Sequence, residues 1–130
     1  MTRYLILAAA CLLAACATIS EAPVNDATLT LQPAQTLALG ETISLRYERA
    51  DDSRCPSNAR CVWAGNLIYH FTLVGKTATE PFMLDADKPT FASKAFKGVQ
   101  IVLATTEPPP RGMTHEAPPP HPVTVSIANL

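Results

Sequence analysis

From Thr28 onward, segment after segment of the chain alternates apolar and polar side chains with a period of two. Thr28-Leu29-Thr30-Leu31-Gln32 and Gln35-Thr36-Leu37-Ala38-Leu39 show the pattern first. After a turn at Gly40-Glu41, the run Thr42 to Glu48 sets Ile43, Leu45 and Tyr47 on one face, with Thr42, Ser44, Arg46 and Glu48 on the other. Alternation built from β-branched and aromatic residues predicts half-buried strands. Asn66 to Val74 predicts a second strong strand, with Leu67, Tyr69, Phe71 and Leu73 on one side and Ile68, His70, Thr72 and Val74 on the other. Both of its faces are partly apolar, so it is expected in the middle of a sheet. Gly75-Lys76 predicts a turn, and Thr77 to Leu84 a shorter strand broken near Pro81. Asp85 to Lys94 reads as a polar, turn-rich connection. Ala95 to Thr105 resumes the pattern through Val99, Ile101 and Leu103, and Pro122 to Ala128 closes it through Val123, Val125 and Ile127.

Outside the leader, nothing sustains a helical stripe over eleven or more residues. Six to eight short strands predict an all-β fold, an antiparallel β-sandwich, Ig-like or related, with a barrel as the other way to close the sheets. Cys55 and Cys61 are too close in sequence to bridge two sheets, so the immunoglobulin disulfide is absent and the strand order stays open.

The first fifteen residues follow another logic. Arg3 precedes an apolar run from Leu5 to Ala15, the layout of an export signal. Such a run is too short to cross a hydrocarbon core, which takes about 20 residues. Its ending, Leu13-Ala14-Ala15-Cys16, resembles the lipobox of bacterial lipoproteins, in which the cysteine becomes the lipidated first residue of the mature chain. Cys11 is the poorer candidate, and an ordinary secretory peptide with a stray cysteine is the alternative. The expected organisation is a signal peptide at 1–15, a lipidated Cys16 with a flexible tether at 16–27, and the sandwich at 28–130. The tether spans very roughly 15–20 Å. Ala17 and Thr18 follow Cys16 where an Asp would favour inner-membrane retention, so in a Gram-negative host the expected place is the outer membrane, facing the periplasm.

Composition narrows the function classes. The 130 residues hold ten basic and eleven acidic side chains; loss of Arg3 with the leader leaves nine against eleven, with no basic patch for nucleic acid. An apolar fraction of 48% permits a packed core for one domain. Of the four cysteines, Cys11 leaves with the leader and Cys16 takes the lipid. Cys55 and Cys61 are then left as an expected disulfide in an oxidising compartment.

The stretch from Asp51 to Asn66 holds that pair, the only Trp and a dense run of turn formers. Pro56 and Ser57-Asn58 suit a tight turn inside the ring, and Gly65 permits a bulge or a positive φ. Arg54 is in reach of both Asp51 and Asp52. Trp63 is expected to cover the disulfide and lead the chain back into the sheet. A rigid loop loses little entropy on binding. Asp52, Arg54, Arg60 and Trp63 are therefore the candidate binding surface, and Arg60 could fill the acidic specificity pocket of a protease. A second candidate contact surface is 107–122, which holds seven of the twelve prolines and reads as a stiff polyproline connection between strands.

Asp52-Ser53-Arg54-Cys55-Pro56, followed by Cys61-Val62-Trp63-Ala64-Gly65-Asn66, resembles the signature of a family of small bacterial secreted proteins and lipoproteins. Its members pair a lipobox leader and a D-S-R-C-P-x4-C-x-W-A-G block with a β-rich remainder. The resemblance covers some fifteen residues. It implies the compartment and the disulfide and brings no catalytic residue.

No nucleophile elbow, zinc-protease helix, phosphate loop or carboxylate pair occurs. His70, Met113, His115 and His121 match no compact ligand spacing, so neither metal nor cofactor is expected. The chain is expected not to be an enzyme. It reads as a lipid-anchored envelope protein, membrane-bound through its N-terminal lipid, with a non-catalytic binding or structural role toward an envelope partner. The alternative is an inhibitor of an extracytoplasmic protease acting through loop 55–61.

Overall fold

A computed structural model describes residues 27–105, 108–116 and 120–129. The expected signal peptide, Cys16 and most of the expected tether lie outside those residues. Among them are eight strands and no helix: β1 (Ala27–Leu31), β2 (Thr36–Ala38), β3 (Ser44–Asp52), β4 (Leu67–Val74), β5 (Thr79–Leu84), β6 (Thr90–Ala92), β7 (Val99–Leu103) and β8 (Val123–Asn129). They form two four-stranded antiparallel sheets, ordered β1-β8-β7-β6 and β2-β3-β4-β5. The second sheet is a plain meander, with β4 inside it as its two apolar faces predict. The fold is an all-β antiparallel sandwich.

The alternating rows meet between the sheets. Leu45 and Tyr47 of β3, together with Leu67, Tyr69, Phe71 and Leu73 of β4, are buried against Val99 and Ile101 of β7 and Val123, Val125 and Ile127 of β8. A chain of rings runs through this core. Tyr47 lies 5.2 Å from Phe71, Phe71 stacks at 5.3 Å on Phe82, and Phe82 stacks at 4.0 Å on Phe91. Phe82 is on β5 and Phe91 on β6, so the last pair closes the seam between the two sheet edges.

Three details differ from the sequence reading. β5 continues through Pro81, which sits opposite Thr72. As the edge strand of its sheet it can lose one donor without breaking the ladder. The polar 85–94 segment holds β6, whose single inward ring, Phe91, is too little for a period of two to register. Finally, β3 runs on to Asp52 where the alternation fades at Glu48. The cause is a bulge. Tyr47 pairs with Phe71, and Arg49 already pairs with His70, so one residue is extra. Odd positions face inward before the bulge; after it, Ala50 and Asp52 stand opposite Tyr69 and Leu67. A bulge re-aims side chains, and this one turns a carboxylate into the end of the core.

Candidate functional site at the disulfide loop

Asp52 is the hub of that end, with its side chain only 4% exposed. Arg54 donates Nε to its Oδ1 at 2.9 Å and Nη2 to its Oδ2 at 2.8 Å, a two-point clamp, and the Arg54 amide adds a third bond at 3.1 Å. Such charge-assisted, paired contacts hold both partners in the ionised form. Arg54 accordingly holds the Asp52 carboxyl below the usual carboxylate range, and Asp52 raises the guanidinium in return. Arg111 Nε stands 3.8 Å from the same carboxylate.

His121 completes the cluster from two residues ahead of β8. It is 5% exposed and in phase with the inward row Val123, Val125 and Ile127. Its Nε2 comes within 3.2 Å of Asp52 Oδ2, yet the approach is poorly aligned, and among the described residues neither ring nitrogen finds a hydrogen-bond partner. Burial pushes its pKa down, and the nearby Asp52 only partly offsets that. The His121 carbonyl accepts a 2.7 Å bond from Tyr47 Oη, whose pKa burial drives well above the ordinary tyrosine value, so the phenol stays a donor.

The proline-rich connection packs onto this loop. Arg54 Nη2 donates to the Pro109 carbonyl at 2.7 Å, and Arg111 Nε donates to the Arg54 carbonyl at 3.1 Å. Further out, the Ser57 amide donates to the Gly112 carbonyl at 3.0 Å, Asn58 Nδ2 to Thr114 Oγ1 at 2.8 Å, and the Thr114 amide to Asn58 Oδ1 at 2.9 Å. The two segments that read as separate contact surfaces largely occupy each other.

Within the loop, Cys55 and Cys61 are disulfide-bonded, and Pro56 to Ala59 forms the expected turn, with the Ala59 amide bonded to the Pro56 carbonyl. The loop's two legs are laced by Ser53 amide to Asn66 carbonyl at 2.9 Å and Cys55 amide to Ala64 carbonyl at 3.2 Å. Gly65 adopts φ +70°, and a Cβ there would collide with the Ser53 carbonyl. Glycine is therefore the residue that lets the return leg pass so close.

Beyond the lacing the loop projects. Val62 is 94% and Trp63 81% exposed. Trp63 is thus no cover for the disulfide, and the chain regains the sheet through Asn66 and Leu67. The expectation assumed that a large apolar residue beside a cystine buries itself. Here the ring is braced by backbone bonds and by the proline connection, and the indole projects from it into solvent. Arg60 is also exposed. The four candidate surface residues therefore separate: Asp52 and Arg54 lie inside, Arg60 and Trp63 outside. Asp51 is likewise apart from Arg54; it pairs with Arg49 Nε at 3.2 Å and with His70 Nε2 at 2.7 Å.

A cleft of about 400 Å³ opens beside the hub, lined by Ala50, Asp51, Asp52, Ser53, Arg111 and His121. Both carboxylates are already engaged by protein cations. Among the described residues, no three His, Cys, Asp or Glu side chains are placed to share a metal ion. The sequence reading missed Arg111 as an anchor and His121 as part of the core. For His121 the signal was there, two residues ahead of Val123 in the same inward row. For Arg111 there was none, because its partner is a backbone carbonyl 57 residues away.

No protein-family model, curated protein or solved structure matches the chain.

Proposed function

We propose that this protein is a lipid-anchored component of the bacterial cell envelope, facing the periplasm, with a non-catalytic binding role exercised through the outer half of the disulfide loop. The observation that carries the binding role is the exposure of Val62 and Trp63 on a loop braced from both sides. An isolated exposed apolar residue is ordinary. Two adjacent ones just past the disulfide ring, on a leg laced at Ala64, are presented at little entropic cost to a partner. The lipid anchor is supported by Leu13-Ala14-Ala15-Cys16 and by the family resemblance of the cysteine block. Several acyl chains, at ~0.8 kcal/mol per buried CH₂, make such attachment stable.

Mass spectrometry of the mature protein tests the anchor: an acylated Cys16 at the amino terminus is expected, and Cys16→Ser should release the domain from membranes. An unmodified amino terminus removes the proposal. A second reading, protease inhibition, draws on exposed Arg60 within the ring. It requires the wild-type domain to inhibit a protease that cleaves after arginine, and Arg60→Ala to lose that inhibition.

A further inference from the structure

Apart from any partner, the geometry points to a switch inside the fold: we infer that a proton taken up by His121 drives Arg111 off the Asp52 hub and lifts residues 111–114 from the disulfide loop.

The ring is held where its uncharged form gains little. His121 is 5% exposed, and neither of its nitrogens has a hydrogen-bond partner. Buried polar groups in native proteins are nearly always satisfied, so an orphaned ring calls for a reason. Its Nε2 stands 3.2 Å from Asp52 Oδ2 without the alignment of a bond. Protonation makes both nitrogens donors and turns that near miss into a charge-assisted contact with the carboxylate.

The charges around the ring decide what moves. From β3, Asp52 faces it and Tyr47 Oη donates to its carbonyl. From the disulfide loop comes Arg54 and from the proline-rich connection Arg111, both drawn to the same carboxylate. Asp51 lines the same cleft, but Arg49 and His70 of β4 hold it. Tyr69 of β4 is close to Arg54 and Asp52 and stays neutral, because burial raises its pKa. Among the described residues the hub therefore sets two guanidiniums against one buried carboxylate, and a charged His121 adds a third cation. Arg54 keeps three bonds to Asp52, none longer than 3.1 Å. Arg111 has only a 3.8 Å approach to Asp52 and one 3.1 Å bond to a neutral carbonyl, and its side chain is 30% exposed. Surplus like charge in a partly dry site is relieved by moving the cation that is least held and nearest water. That cation is Arg111. Burial first, and the two guanidiniums after it, hold the His121 pKa below its ordinary 6.5 against the pull of Asp52, so the switch turns on the acid side.

Arg111 takes the outer half of the interface with it. Pro109 stays tied through Arg54. Beyond it the Ser57 amide loses the Gly112 carbonyl, and Asn58 loses Thr114. The two segments cover each other's polar groups at neutral pH, and acid uncovers them and widens the cleft that Arg111 walls.

The test is amide hydrogen exchange, read by NMR on the full-length protein in detergent micelles and corrected for the intrinsic effect of pH. The Ser57 and Thr114 amides report the interface, and the amides of β4 report the sandwich. Between about pH 7.5 and about pH 4.5, protection at Ser57 and Thr114 should fall about fivefold or more while β4 holds. His121→Gln should abolish that fall. Arg111→Gln should raise the His121 pKa read from its ring-proton shift, because the coupling is reciprocal, and it stands by itself if His121→Gln does not fold. Protection that acid leaves unchanged overturns the inference. A fall that survives His121→Gln does so too, since it belongs to His70 or His115. An equal fall in β4 overturns it in favour of general unfolding, as does a His121 titration that Arg111→Gln leaves unmoved. None of these outcomes depends on whether Cys16 is acylated, so the switch and the envelope assignment fail separately.

Discussion

Two halves of one loop, a few residues apart, obey opposite rules. At the root, the Asp52 side chain is charged and only 4% exposed, Arg54 is half-buried, and every strong contact they make is internal. At the tip, Val62 and Trp63 are apolar and face solvent. Side-chain polarity alone inverts both. The root is interior because a bulge turns Asp52 inward and the loop's own arginine follows to neutralise it. The tip is exterior because the disulfide, the laced legs and the proline connection fix a backbone path that points Val62 and Trp63 outward. The lesson concerns division of labour: the charged root ties the loop to the fold, and the apolar tip is left exposed.

The strongest way to break this comparison is Asp52→Ala. Removing one partner of a fully buried pair costs about 3–5 kcal/mol, and because Arg54 is 22% exposed and can regain some water, about 2–3 kcal/mol is expected here. Here Arg54 and Arg111 would both lose their shared carboxylate. Urea denaturation should show a drop of that order, with the unfolding slope unchanged. A loss under about 1 kcal/mol would mean that the root is solvated and the internal assignment is wrong. Next in size is the disulfide. Closing a ring this short is worth roughly 2–2.5 kcal/mol in the chain-entropy picture, and the Cys55→Ser, Cys61→Ser protein should lose about that much while the sandwich persists.

Acid should act first on His121 at the root, and at lower pH on the carboxylates that hydrogen bonds hold low, Asp52 together with Glu48, Asp51 and Glu80. Burial depresses the His121 pKa below its ordinary 6.5, so the unfolded chain takes up that proton first as pH falls. The stabilising contribution is full above 6.5 and is lost as pH descends from there toward the folded-state value. Asp52, held low by Arg54, adds a second loss as pH falls below 3.8 toward its own folded-state value. Stability measured from pH 8 down to pH 3 should therefore decline in two stages. His121→Gln should flatten the first stage and spare the second; an unchanged first stage would assign it to another group.

Most of the sandwich was legible in the chain because strands report themselves through their burial phase. Leu45, Tyr47, Tyr69, Phe71, Ile101, Val125 and Ile127 are all buried where a period of two puts them. Legibility failed where the phase breaks or the burying partner is remote. The bulge between Tyr47 and Arg49 conceals that Asp52 points inward, since local hydropathy carries no mark of one extra residue. Asn58 and Thr114 are 56 positions apart, and nothing in either segment announces the other. The cystine and its turn were readable because cysteine arithmetic and turn chemistry are local. The fate of Trp63 was not, because exposure depends on what else already fills the space.

The smallest expected effect is the one that sharpens the comparison most. Trp63→Ala removes the largest side chain in the protein, and in a core such a truncation would cost about 3–5 kcal/mol. At 81% exposure there is little buried area to lose, so stability should change by no more than about 0.5 kcal/mol. The indole also reports on itself, being the only one in the chain. Its emission should match that of an indole in water while the sandwich is fully folded, and should scarcely move when urea unfolds the strands that circular dichroism follows. A blue-shifted native emission, or a cost above about 1 kcal/mol, would place the ring against the cystine after all. The tip would then belong to the root, and a free apolar knob would no longer be available to any partner.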